Sequence, residues 1–334
     1  NFRVFYSKVF YACGSVVDQL RKRGDLLFGR SKGHAGLCIE DQVIRFIELS
    51  GEPDKLSLVN KVEVPLPPDA VKQDAISNVQ VLEGALSSLK TRLGNKVPSN
   101  ITVGIPSRDV FIRIIDMPRM EIGDARNAFR WDFEKHIPFS ALDAVFDVAE
   151  IDHPQNEDPE QMKILVAASK SRTIEVLSDS LRRVGLSVGS IEPINIAMFR
   201  SLTNPIAPFT GGVLAIFVGQ ETSQFIVGYL DNGIIYRSIL GGFSQPTEKF
   251  QELLVRESSS TLSFVSAQLR GVVVDKIILA GGLKEKEAFR DYLSSELSVQ
   301  VDIADPWGLW GIKGAGDKPS GWDAAIGLAV RDLK

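Results

Sequence analysis

Side chains able to do chemistry are sparse in this 334-residue chain, and their spacing decides most of what they can do. The three histidines, His34, His136 and His153, form no metal-pair spacing, and the lone cysteines Cys13 and Cys38 form neither a disulfide framework nor a C-x-x-C metal site. Such cysteine usage suits a reducing compartment. The acid pairs Asp143/Asp147 and Glu121/Asp124 read as solvated faces, because nothing beside them poises one carboxyl as acid and the other as base. Ser107, Arg108 and Asp109 fall at a strand-to-strand turn, with no G-x-S-x-G elbow and no Cys/His couple in a nucleophilic setting. GGFSQPTEK and GIKGAGDKPSG are rich in glycine but lack the Gly-Lys-Ser/Thr ending of a phosphate loop. The residues therefore assign no catalytic group and no metal ligand. What remains is a strand–turn–strand in GLCIEDQVIR, another in IFVGQETSQ, and a late strand ending in Gly-Gly, IILAGG. Tight turns of this kind can cradle phosphate when their residues are small.

These turns need strands and helices to hold them. GLCIEDQVIRFIELS and KLSLVNKVEVPL read as consecutive strands, and AISNVQVLEGALSSLKTRLG as an amphipathic helix closed by Gly94. NITVGIPSRDVFIRIIDMP gives two strands around a turn. Residues 121–135 form a helix stopped before Pro138, followed by strands AVFDVAEID and QMKILVAAS, a helix ended by Gly185, and strand LSVGSIE. TNPIAPFTGG is the best internal boundary, and beyond it GVLAIFVGQETSQFIVGYLDNGIIYRSIL repeats the strand pattern of residues 36–66, which points to internal duplication. A helix over 246–270, strand VDKIILAGG, helix KEKEAFRDYLSSEL and closing helix GWDAAIGLAVRDL complete the second half.

Composition bounds the classes. With 38 Lys+Arg, 42 Asp+Glu and 44% hydrophobic residues the chain is an ordinary globular protein of about two domains. No stretch approaches the roughly 18–20 apolar residues of a membrane span. Residues 1–35 carry a net +5 and the remainder −9. The acidic body argues against nucleic acid, so Trp307 and Trp310 read as packing anchors. In the basic leader, Phe5, Val9, Ala12 or Cys13, Val16 and Leu20 share one helical face. It is expected either to lie on an anionic membrane surface or to dock on the protein's own body.

Two pinching hairpins and a Gly-Gly turn are how the actin, hexokinase and Hsp70 superfamily holds ATP. Within it this chain most resembles the PilM family, the actin-like component of type IV pilus assembly, over nearly all of residues 25–333. The resemblance is carried by LLFG followed by GLCIEDQVIRFIEL, by FRWDFEKHIPFSALDAVFDVAEID with its specific Ile137-Pro138-Phe139, by VGLSVGSIEPINIAMFR, and by IILAGG, IADPWGLW and AAIGLAVRDL. It implies an α/β, actin-like (ribonuclease H-like) duplicated fold: a first domain over 36–115 and 192–210, an inserted α+β module over 116–191, and a second domain over 211–334. It also implies a cytoplasmic scaffold, peripheral on the inner-membrane face. That scaffold would bind the N-terminal tail of a PilN-like membrane protein beside the inserted module, with Ile137, Pro138 and Phe139 as candidate contacts, together with other pilus inner-membrane components.

The departures from the family pattern fall on the nucleotide motifs. Where the first hairpin reads G-L-D-I-G-S-S-S-V-K, this chain has GLCIEDQVIR, so the magnesium-organising aspartate is Cys38 and the phosphate-facing glycine and serine are Glu40 and Asp41. Where the second reads V-D-I-G-A-E-S-T-D, Gly219, Thr222 and Ser223 remain but the aspartate is Phe217. Gly281 and Gly282 remain in the third element, followed by Leu283. The expectation is a pseudo-ATPase with no cofactor, residual ATP binding being left open. The rivals are an active ATPase or sugar kinase on this fold, which would need a metal-organising aspartate, a nucleotide-switched ATP-binding protein of the same fold, the cytoplasmic domain of a GspL-like type II secretion protein, and an FtsA-like filament former.

Overall fold

The computed structural model describes residues 33–333 apart from 54, 74, 95–96, 156–157, 204–208 and 270. All but the last three residues of the basic leader lie outside the described residues. The first strand, β1 (Gly33–Ile39), turns at Glu40–Gln42 into β2 (Val43–Ser50), which continues antiparallel into β3 (Ser57–Pro65). After the small ribbon β4 (Val71–Lys72) and β5 (Ala75–Ile76), helix α1 (Val79–Leu93) crosses to β6 (Ile101–Ile105), which joins β1 in parallel. Asn78 caps α1 by accepting from the Val81 N–H at 3.3 Å, and Gly94, at φ 60°, ends it by donating to the Lys90 and Thr91 carbonyls. Between the caps Leu82, Leu86, Leu89 and Leu93 recur at helical spacing and are buried, each worth roughly 1.5–3 kcal/mol.

The chain then leaves this sheet. β7 (Phe111–Pro118), helix α2 (Ile122–His136), β8 (Ala144–Ile151) and β9 (Gln161–Lys170) form a separate three-stranded sheet in the order β7-β9-β8. One face of it packs Phe146, Val148, Met162, Ile164 and Val166 against Ala125, Phe129 and Phe133 of α2. The alternate residues, including Val145, Leu165 and Ala167, join the main core, as the pleat requires. Helix α3 (Ser171–Arg183) is tied to α1, since Ser180 Oγ and Arg183 Nη1 both donate to Glu83 Oε1, at 3.0 and 2.9 Å. β10 (Val188–Pro193) then pairs with β6, giving a first sheet in the order β10-β6-β1-β2-β3. The separate sheet with its helix therefore spans 111–170, earlier at both ends than the expected 116–191. A parallel strand declares its sheet only through its long-range partner.

Helix α4 (Ile194–Ser201) leads to the second half, where β11 (Gly212–Val218), β12 (Thr222–Tyr229) and β13 (Asn232–Leu240) form another antiparallel meander. Helix α5 (Thr247–Gln268), β14 (Val274–Gly281), helix α6 (Lys286–Leu297) and β15 (Gln300–Ile303) follow, and both later strands pair in parallel. The order β13-β12-β11-β14-β15 repeats that of the first sheet strand for strand, so the internal duplication is present in the fold. Short α7 (Pro306–Leu309) and buried α8 (Asp323–Ala329) return the chain to the first half. There α8 crosses α4 so closely that a Cβ on Gly327 would lie 1.8 Å from the Ala197 carbonyl oxygen. Trp310 is fully buried and donates to the Ser201 carbonyl at 3.0 Å, the packing role its sequence setting suggests. Among the described residues no helix is long and apolar enough to cross a membrane.

Candidate functional site

The β1–β2 turn, the β11–β12 turn, the end of β14 and the start of α8 converge on a cleft of about 370 Å³ between the two repeats. Backbone bonds fix both turns. The Glu40 N–H donates to the Val43 carbonyl at 3.0 Å, and the Leu66 N–H to the Gln42 carbonyl at 2.8 Å. Opposite, the Phe243 and Ser244 N–H groups donate to the Gly219 and Gln220 carbonyls at 3.1 and 3.0 Å. That crossing needs glycine at 242, where a Cβ would sit 2.4 Å from both of those carbonyl oxygens. Gly281, at φ 92°, is required in the same way, its Cβ position lying 2.3 Å from the Val218 carbonyl oxygen.

The residues singled out from the sequence divide between this cleft and the core. Glu40, Asp41, Phe217, Gly219, Thr222, Gly281 and Gly282 all line the cleft. Ser223 does not: it is fully buried, and its hydroxyl is spent on the Gly241 carbonyl at 2.7 Å. Cys38 and Leu283 are also buried in packed clusters. Phe217 packs with Phe199, Ala215, Ile226 and Ala280, so an apolar contact stands where the family pattern has its aspartate.

Arg45 was not singled out, yet it organises the acidic side of the cleft. Its guanidinium pairs with Glu40, donates to Glu63 at 2.8 Å, and lies 6.0 Å from the Trp322 ring centre. Burial pushes the Glu40 carboxyl above its usual range, against the pull of Arg45 and of a hydrogen bond from Cys38. Asp323 is likewise pushed up by burial, opposed by Lys286 and Arg45. Gln42 and Gln220 were missed as well. Gln220 Nε2 donates to Gln42 Oε1 at 2.7 Å, joining the two hairpin turns across the cleft. The available signal was one glutamine in each turn of the duplicated hairpin. Among the described residues no group of three or more His, Cys, Asp or Glu side chains is arranged to hold a metal.

The Ile137-Pro138-Phe139 segment behaves as three different residues. Ile137 is 1% exposed, and its N–H closes α2 by donating to the Phe133 carbonyl at 2.9 Å, so the structure makes it a core anchor rather than a contact surface. Phe139 is half-buried, its ring 5.5 Å from Phe111 at the start of β7 and 5.7 Å from Phe133. Pro138 is exposed. Among the described residues β7 pairs only with β9, which leaves its outer edge unpaired along a run of half-buried apolar side chains. On the same module Trp131 is 88% and Leu142 94% exposed.

Two repeats of this strand order, pinching a cleft with their first hairpins, define an actin-like protein. The family model for type IV pilus assembly protein PilM matches residues 36–203, half of the chain. The chain belongs to the PilM family. Among solved structures, the PilM-PilN type IV pilus biogenesis complex is 20% identical, covers 92% of this chain and 100% of that one, and superposes with a TM-score of 0.74. The ethanolamine utilization protein EutJ of Carboxydothermus hydrogenoformans is 10% identical over 93% of each chain, with a TM-score of 0.50. The cytoplasmic domain of EpsL, an inner-membrane component of the type II secretion system of Vibrio cholerae, is 12% identical over 90% of this chain and 94% of that one, at a TM-score of 0.49.

Proposed function

We propose that this PilM-family chain is a scaffold at the cytoplasmic face of an inner-membrane pilus complex, capturing the extended N-terminal tail of a PilN-like membrane protein beside its inserted module. The observation that carries this reading is the unpaired, half-buried edge of β7, buttressed at Phe111 by Phe139. An unpaired strand edge offers main-chain donors and acceptors, and flanking apolar pockets give choice among sequences. Pro138 and Phe139 stay with the reading as rim residues; Ile137 supports them from the core. The fold it shares with a PilM-PilN complex adds support. Peripheral membrane contact through residues 1–35 and contacts with further pilus components belong to the same proposal.

The cleft, in this reading, is a pseudo-nucleotide site with no bound cofactor. Glu40 and Asp41 occupy the turn that would face phosphate; Glu40 is already paired with Arg45, and an ionised Asp41 carboxylate about 4 Å from a phosphate charge would cost on the order of 1 kcal/mol in water and about 4 at an effective dielectric of 20. Phe217 offers nothing to a magnesium ion or its waters. The test of the scaffold reading is fluorescence anisotropy with a labelled N-terminal peptide of the PilN-like protein from the same genome. Binding at micromolar concentration or tighter is expected; no binding at high micromolar peptide overturns the reading.

A further inference from the structure

The geometry points to a cleft whose two lobes are clasped together by the protein itself, with the Gln42–Gln220 pair as the clasp. Closing a two-lobed cleft usually requires a ligand that both lobes touch. Here a side chain from each hairpin turn makes that contact directly, Gln220 Nε2 to Gln42 Oε1 at 2.7 Å. Two hydrogen bonds at the rim bridge the halves away from the clasp. At the rim the β8–β9 loop of the inserted module reaches the second repeat, where Gln155 Nε2 donates to the Gln268 carbonyl at 3.0 Å and Asn232 Nδ2 to the Asp152 carbonyl at 3.5 Å. Within the first half, where α8 crosses α4 beside β10, Glu192 accepts Arg200 through both its oxygens at 2.5 and 3.0 Å and pairs with Arg331 at 3.2 Å, and Arg200 also donates to the Gly327 carbonyl at 3.0 Å, which fixes the lobe that carries Gln42. The rim contacts set the approach of the halves, and the glutamine pair fixes the mouth. The turns meet through neutral amides, whose contact needs no counter-ion. The clasped arrangement is then one that the chain holds by its own side chains. This rests on the cleft and the rim contacts, not on the peptide reading, so either can fail alone.

The test is a pulsed electron–electron distance measurement on nucleotide-free protein. Spin labels go at Lys72→Cys and Glu248→Cys, both exposed and on opposite halves, in a Cys13→Ser background with buried Cys38 left in place. A single narrow distance distribution is expected, broadening at least twofold in Q42A/Q220A and less in the milder Gln220→Asn. A broad or two-peaked distribution in the labelled parent overturns the clasp. So does a distribution left unchanged by both the double variant and Gln220→Asn.

Discussion

The buried Glu192 cluster offers the sharpest energetic forecast. Glu192, Arg200 and Arg331 are each at most 2% exposed, and one carboxylate serves two guanidinium groups. Glu192→Gln keeps the shape but removes the charge that lets both cations stay out of water. Breaking a buried ion pair from one side costs about 3–5 kcal/mol, a large share of the roughly 5–15 kcal/mol that holds a domain folded. For a chain of this size about 1 kcal/mol corresponds to roughly 1.4 °C in Tm, so a fall of roughly 4–7 °C is expected by calorimetry or circular dichroism. Glu192→Asp, which keeps the charge and shortens the reach, falls between the parent and the glutamine variant. A Glu192→Gln melt within 2 °C of the parent would refute the reasoning, because three buried charges would then not depend on one another.

Burial and the charge of Lys163 push the His153 imidazole down to about 4, and its Nδ1 accepts from the Gln155 N–H at 3.2 Å. Between its usual value near 6.5 and about 4 the unfolded chain takes a proton that the folded chain refuses, so this contribution is present above pH 6.5 and lost as pH falls toward 4. The full shift is worth about 3 kcal/mol, which solvent around a half-buried ring reduces to about 1–2. Urea melts across that range should show the loss in the parent and a flatter profile in His153→Asn; parallel profiles would contradict it. Phe217→Asp restores the family's residue on an apolar cluster, and is expected to cost at least about 3–5 kcal/mol without conferring magnesium-dependent ATP binding. A variant as stable as the parent that binds ATP with magnesium would show that the cleft lacks only that aspartate.

Features encoded locally were legible before the structure. Asn78 and Gly94 bracket α1, Gly185 follows α3, and the duplicated hairpins are recognisable because each copy of the pattern is contained within thirty or so residues. Features fixed by distant partners were not. Whether β7 and β10 joined the first sheet depended on pairings with β9 and β6, and the four-residue β15 carries too little pattern to announce itself. In the cleft the substituted positions Glu40, Asp41 and Phe217 were readable from residue type against the family pattern. The role of Arg45 and the Gln42–Gln220 contact were not, since the two glutamines stand 178 residues apart. Ser223 shows the converse: a hydroxyl suited to phosphate is committed to the Gly241 carbonyl, and no spacing rule reveals that.

The measurement closest to the central claim is a calorimetric titration of the folded chain with ATP, with and without magnesium. If Glu40, Asp41 and Phe217 have turned the cleft away from nucleotide, millimolar ATP gives no binding heat in either condition. Saturable binding that tightens with magnesium would contradict the account and make the chain a nucleotide-switched member of its family.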